Sequence, residues 1–190
     1  MRRFWPCVLL VALLPSAAHA EAAWDLAQLL RGFHAVKEAR AHYIERRTLS
    51  VLKRPIQDSG ILSYVAPGYL RKETLQPHQE LMVVEGDTLT IARDDKMQTL
   101  NRGDYPQIWA FVEGIRATLA GDRTALEAVY AVSLDGDQAS WQMLLLPRDP
   151  ATQQIVRSIK IVGSAAQIKR IETVERDGDR TDMFITEDSR

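Results

Sequence analysis

Between Gly60 and Asn101 the chain breaks at nearly even intervals into short stretches of alternating apolar and polar residues, and a pair of turn-forming residues marks each break. Pro67-Gly68, Pro77-His78, Gly86-Asp87 and Asp94-Asp95 separate candidate strands at Gly60–Ala66, Tyr69–Gln76, Gln79–Glu85, Thr88–Arg93 and Lys96–Asn101. Glycine supplies positive φ, proline a fixed φ, and aspartate a side-chain acceptor for the turn backbone. Connections this short join antiparallel neighbours, because a parallel pair needs a crossover of about a dozen residues. The segment reads as a β-meander, preceded by a longer candidate strand at His42–Leu52.

The rhythm resumes at Val129–Leu134, Ser140–Leu146, Ile155–Val162, Gln167–Glu175 and Thr181–Thr186, with Asp135-Gly136 and Asp177-Gly178 as hairpin turns. Helical spacing occurs twice. Ala22–Ala39 sets Leu26, Leu29, Leu30, Phe33 and Val36 on one side. Tyr105–Ala120 carries Ile108, Trp109, Phe111, Val112, Ile115 and Leu119, with Asp104 as N-cap, Pro106 in the first turn and Gly121 as the stop. A short helical turn, Arg123–Glu127, leads back to strands.

About eleven strands exceed what a small flat sheet carries without curling, and two apolar helices need a surface to cover. The expected fold is α+β, mainly β: a curved antiparallel sheet, an unclosed half-barrel, with helices on its concave face and an apolar space beneath them. No linker, low-complexity segment or fixed-period repeat divides the chain, so residues 21–190 are expected to form a single domain.

Residues 1–20 read as a cleaved export signal. Arg2 and Arg3 precede the apolar run Val8–Leu14, and Ala18-His19-Ala20 is a small-x-small cleavage site. The apolar run is far below the roughly 20 residues that cross a bilayer. Cleavage removes the single cysteine, Cys7, so no thiolate metal site or disulfide is expected in the mature chain. It leaves 22 basic and 25 acidic residues with no face-scale basic excess, so nucleic acid or an anionic membrane surface is not the expected partner. The compartment these features suggest is a bacterial periplasm.

Catalytic chemistry is sparse. His34, His42 and His78 have no metal-ligand spacing, no serine sits in a G-x-S-x-G elbow, and no glycine loop cradles phosphate. Asp135-Gly136-Asp137 and Asp177-Gly178-Asp179 lack the continuation of a calcium loop and read as turns. No catalytic residue, metal or cofactor is expected. In Glu45-Arg46-Arg47, alternation sends Arg46 to one face and its neighbours to the other. An arginine turned inward would hold an anionic head group; the reading favoured from sequence is a cross-strand salt bridge on the solvated convex face. Trp141–Leu146 is apolar on both faces, fitting either a two-sided core strand or one face in need of a ligand.

Three segments carry a resemblance. Gly60–Pro67 is similar to a G-x-L-x-x-x-x-P strand, Pro77–Leu89 to a P-x-x-x-hydrophobic-D-G-x-x-L hairpin, and Ile168–Arg180 to a late hairpin of the bacterial outer-membrane lipoprotein carrier family, LolA-like. The order of elements agrees over nearly the whole mature chain. Carriers of this family place an arginine before the proline of the second hairpin; Ala66 stands there here. With Tyr43–Arg47 and Lys53-Arg54-Pro55, that departure resembles the divergent LolA-related branch.

The resemblance implies a monomeric periplasmic protein that takes the acyl chains of a lipid or lipoprotein from an inner-membrane donor to an outer-membrane acceptor or exporter. It implies a cavity lined by Leu62, Tyr64, Trp109, Phe111, Trp141, Met143 and Leu145, with Arg47 and Arg71 as head-group or lid contacts. The alternative is a sensor on the same fold that binds a partner protein and carries no lipid. On sequence grounds, Trp141→Asp is expected to abolish lipid binding and leave the sheet folded, as lipid extraction and circular dichroism would read.

Overall fold

The computed structural model describes residues 24–187, so the export signal lies outside the described residues. The first meander is β1 (Glu38–Thr48), β2 (Ile56–Val65), β3 (Tyr69–Gln76), β4 (Glu80–Glu85), β5 (Thr88–Arg93) and β6 (Lys96–Asn101). The second is β7 (Tyr130–Gly136), β8 (Trp141–Pro147), β9 (Val156–Ser164), β10 (Gln167–Glu175) and β11 (Arg180–Glu187). All eleven strands form one antiparallel sheet, ordered β6-β5-β4-β3-β2-β1-β11-β10-β9-β8-β7. Its end strands β6 and β7 do not meet, so the half-barrel stays unclosed. The joint between the meanders is β1 against β11, in register from Ala41↔Glu187 to Thr48↔Arg180.

Four helices complete the described residues. In α1 (Leu26–Ala35), a reciprocal capping box closes the start: Gln28 N donates to Asp25 Oδ1 at 2.8 Å and Asp25 N to Gln28 Oε1 at 3.2 Å. The helix is shorter than the expected Ala22–Ala39, because Val36 is already extended and β1 starts at Glu38. β1 accordingly begins before His42, and it ends at Thr48, before Leu52.

The second helix, α2 (Pro106–Ala120), ends at Gly121 in the left-handed region, φ 69°. A Cβ there would lie 2.3 Å from the Leu30 carbonyl oxygen, so both conformation and space select glycine. Asp104 is not its N-cap. Tyr105 holds that position without a side-chain bond, and the Asp104 carboxylate accepts from Asn101 instead. Helix α3 (Arg123–Val129) is capped by Asp122 through Ala125 N at 2.9 Å. The sequence reading missed α4 (Pro150–Gln153), one turn that Asp149 caps through Thr152 N and Thr152 Oγ1.

The helices cover the concave face through two separate apolar clusters. In the first, Leu29, Leu30 and Phe33 of α1 pack with Trp141, Met143 and Leu145 of β8, Ile159 and Ile161 of β9, and Leu126 of α3. The Phe33 ring meets Trp141 edge-on, centroids 5.9 Å apart. Trp141 Nε1 donates to the Ala165 carbonyl at 2.9 Å, and a Cβ on Gly163 would lie 2.3 Å from the indole. In the second cluster, Trp109 and Val112 of α2 pack on Val84, Leu89 and Leu100 of β4, β5 and β6.

This packing reverses the expectation for Trp141→Asp. At 1% exposure, Trp141 is the centre of the first cluster, so a carboxylate there is expected to unfold the domain along with any loss of binding. The milder Phe33→Ala is expected to lower stability by about 3–5 kcal/mol in chemical denaturation.

A concave trough with a charged floor

Side chains directly opposed in an antiparallel pair share one face, so the register extends the face under α1 across the sheet. One row runs Leu134–Met143–Ile161–Ile171–Met183 from β7 to β11 and continues as Glu45 on β1 and Asp58 on β2. A neighbouring row runs Ala41–Leu62–Lys72–Met82–Ile91–Gln98 from β1 to β6. Between them lie Tyr43, Gly60, Thr74, Glu80, Arg93 and Lys96. The strip between the two clusters is therefore mixed. Leu62, Met82, Ile91, Ile171, Met183 and Ile185 are half-buried, Ile171 and Ile185 against the first cluster and Met82 and Ile91 against the second, and charged groups stand on β1, β2 and β3.

Those charged groups pair with one another. Lys72 Nζ lies 2.7 Å from Glu45 Oε2, and Arg47 Nη2 lies 2.6 Å from Asp58 Oδ2. Glu45 is 6% exposed, which its cation makes tolerable, since an unpaired charge at that depth is strongly unfavourable. Arg47 Nε sits 3.7 Å from Glu45 Oε1 and is a buried donor without a hydrogen-bond partner among the described residues. Tyr43 Oη and Thr74 Oγ1 are 2.7 Å apart, Lys72 Nζ lies 5.1 Å from the Tyr43 ring centroid, and Arg93 pairs with Glu80 at 2.5 Å. Burial pushes the Tyr43 hydroxyl up to about 12; its bond with Thr74 pulls the other way, and Glu45, Asp58 and Glu80 add to the rise. Burial also raises Tyr64 and Tyr130.

The face of Glu45 and Arg47 corrects the reading favoured from sequence. Tyr43 turns inward in the β1–β11 register, so Glu45 and Arg47, two and four residues on, turn inward too. Arg46 takes the convex side, 5.8 Å from the Phe184 ring centroid and bonded to Gln57.

Of the residues expected to line a cavity, Leu62 is half-buried in the trough and Arg47 stands at its charged end. Tyr64 is buried at the margin, where its hydroxyl donates to the Leu119 carbonyl of α2 at 3.2 Å. Trp109 lies in the second cluster, while Phe111 is 37% exposed on α2 beside exposed Ile108. Trp141, Met143 and Leu145 are packed under α1 and line no open space among the described residues. Arg71 points to the convex side, opposite Leu70 and Lys72, and pairs with Glu73 at 2.9 Å.

An arginine of α2 ties that helix to the sheet. Arg116 of α2 donates to the Gly86 carbonyl in the β4–β5 turn at 3.2 Å and pairs with Glu113 at 2.6 Å. Sequence reasoning missed Asp58, Lys72, Met82, Ile91 and Met183, and named Tyr43 and Glu45 without placing them in the trough. The available signal was parity: once Tyr43 is taken as inward, alternation places its neighbours.

Two clefts open beside these elements. One of about 420 Å3 lies between α1 and the α2–α3 turn, against Leu30, Arg31, His34 and Arg123. The other, about 280 Å3, lies by Thr74, Glu80 and Asp94 at the charged end of the trough. Among the described residues, no group of three or more His, Cys, Asp or Glu is arranged to hold a metal ion.

A family model described as outer membrane lipoprotein carrier protein LolA-like matches residues 17–188. Among solved structures, the chain is similar to a LolA superfamily protein of Nitrosomonas europaea, at 7% identity and TM-score 0.46, covering 86% of this chain and 92% of that one. It is similar to the Mycobacterium tuberculosis lipoprotein LppX at 9% identity and TM-score 0.41, covering 85% and 93%. It is also similar to a chain of the Pseudomonas aeruginosa MucA/MucB complex at 12% identity and TM-score 0.44, covering 86% and 56%. Comparison by sequence with curated proteins finds no match.

The Tyr43 environment sets a pH response. The folded hydroxyl keeps its proton to about 12, whereas the unfolded one releases it near 10. Its contribution to stability is fully present below 10 and is lost as pH rises from 10 to about 12. Denaturant titrations over that range are expected to show a steeper fall for the natural chain than for Tyr43→Phe.

Proposed function

The chain belongs to the outer-membrane lipoprotein carrier LolA-like family, and from that premise we propose that it is a periplasmic carrier. Exported by residues 1–20, the domain of residues 21–190 takes up acyl chains of a lipid or lipoprotein from an inner-membrane donor. It delivers them to an outer-membrane acceptor or exporter. The observation that carries this reading is the half-buried apolar strip Leu62, Met82, Ile91, Ile171, Met183 and Ile185 on the concave face, beside a charged floor.

Each methylene sheltered from water contributes about 0.8 kcal/mol, so a chain laid along this strip gains several kcal/mol over free passage through water. Arg47 supplies a charge-assisted donor to an anionic head group where the apolar row gives way to charge. Release needs the chain to be uncovered again. The segment that moves is α2, tied at its margins by Arg116 to Gly86 and by Tyr64 to Leu119. Its exposed Ile108 and Phe111 give it an apolar side not spent on the second cluster. The role assigned here is binding and transfer, without a catalytic step.

The test is purification from periplasm without detergent, followed by native mass spectrometry and organic extraction. A stoichiometric acyl-bearing ligand is expected, and Leu62→Asp should lower its retention about tenfold or more with the circular dichroism unchanged. An empty protein that also refuses added fatty acids and phospholipids would replace this reading with that of a partner-binding sensor.

A further inference from the structure

The loop between β1 and β2 is the most exposed apolar point among the described residues: Val51 is 86% exposed and Leu52 46%. Exposed Lys53 and Arg54 follow at once, and residues 49–57 hold no carboxylate. The loop is anchored, since Ser50 N donates to Asp179 Oδ1 in the β10–β11 turn at 2.7 Å. That turn bonds in its own right to the segment before β9, Arg176 N to the Ile155 carbonyl at 2.8 Å, and Ile155 is 47% exposed. One end of the half-barrel thus presents three exposed aliphatic side chains with Lys53, Arg54 and Arg176. Of the acids beside them, Asp179 Oδ1 accepts from Ser50 N, Asp177 Oδ1 accepts from Asp179 N at 3.0 Å, and Glu175 is half-buried. Asp94 and Asp95 stand across the sheet in the β5–β6 turn.

We infer that this end is a docking tip for an anionic phospholipid bilayer, with Val51, Leu52 and Ile155 entering the headgroup layer and Lys53, Arg54 and Arg176 meeting lipid phosphates. Three separated aliphatics fall short of the roughly 1,200 Å2 or more that a stable protein interface buries. An interfacial anchor needs only a few aliphatics with flanking cations. The tip also adjoins the charged end of the trough: Arg47 pairs with Ile56 at the base of this hairpin, and Glu45 and Asp58 come next. A lipid leaving the bilayer here meets Arg47 and then the apolar strip. The inference rests on the carrier reading for its purpose, and its geometry stands apart from it.

The test is co-sedimentation of the processed full chain with mixed phosphatidylglycerol/phosphatidylcholine vesicles and with phosphatidylcholine alone. Binding to the anionic vesicles is expected, with a loss of about tenfold or more on neutral vesicles and in the Lys53→Glu/Arg54→Glu double variant. Val51→Asp should weaken it similarly. Val65→Asp, exposed at the opposite end of β2, should leave it unchanged. Equal binding to both vesicles, unaltered binding by the tip variants, or no binding by the folded natural chain would each overturn the docking tip. Organic extraction separates this from the carrier reading: a lipid-loaded protein that ignores vesicles sinks only the tip, and an empty protein that binds them sinks only the carrier.

Discussion

Everything in this molecule depends on the pairing of β1 with β11. Each meander alone is a run of hairpins with one face to bury and two open edges. Joined through eight registered residue pairs, Ala41↔Glu187 to Thr48↔Arg180, they become one sheet whose curved inner face is continuous from β7 to β6. That joint sets the parity of β1, so it decides that Tyr43, Glu45 and Arg47 face inward and Arg46 outward. It also divides the packing. The helices find apolar partners on β8 and β9 on one side and on β4, β5 and β6 on the other, while the seam between them carries charge.

A buried carboxylate at such a seam is not a device for stability. Replacing ion pairs of this kind by apolar side chains is often neutral or favourable, and the arrangement is better understood through the ligand. Under the proposed reading an acyl chain seeks the apolar residues and its head group a cation, so charges gathered on β1, β2 and β3 between apolar strands would orient an occupant. The partnered Lys72–Glu45 and Arg47–Asp58 pairs keep that end from attracting arbitrary anions, and Arg47 Nε keeps one donor in reserve. On this account the second cluster, under α2, is the part that yields when a chain enters. The first cluster, locked by Phe33 on Trp141, holds the sheet.

Much of the fold was legible in local chemistry. Turn pairs and period-two alternation place Tyr69–Gln76, Thr88–Arg93, Lys96–Asn101 and Gln167–Glu175 at the bounds that the structure shows. What was not legible depends on distant neighbours. No residue of β1 announces β11 as its partner, so the face of Glu45 and Arg47 was open until the register was known. The apolar run of β8 signalled a demand for cover but not its source: α1 meets it with Leu29, Leu30 and Phe33, which turns Trp141, Met143 and Leu145 from expected cavity wall into core. The missed helix α4 lay in plain view as Asp149-Pro150 with Thr152 at capping distance, overlooked because the surrounding pattern was strand. The site was less legible than the fold. Leu62 and Arg47 were named from position, whereas Lys72, Met82, Ile91 and Met183 reach the trough through pairings across six strands, β11 and β1 to β5.

The central claim is the location of the occupant, and photocrosslinking reads location directly. A fatty acid with a diazirine near its chain end, bound to the natural protein and irradiated, should label peptides of β2, β4, β5 and β11 that contain Leu62, Met82, Ile91 and Met183. Labelling confined to the α1–β8 cluster, or to convex residues such as Ile44 and Phe184, would contradict the account.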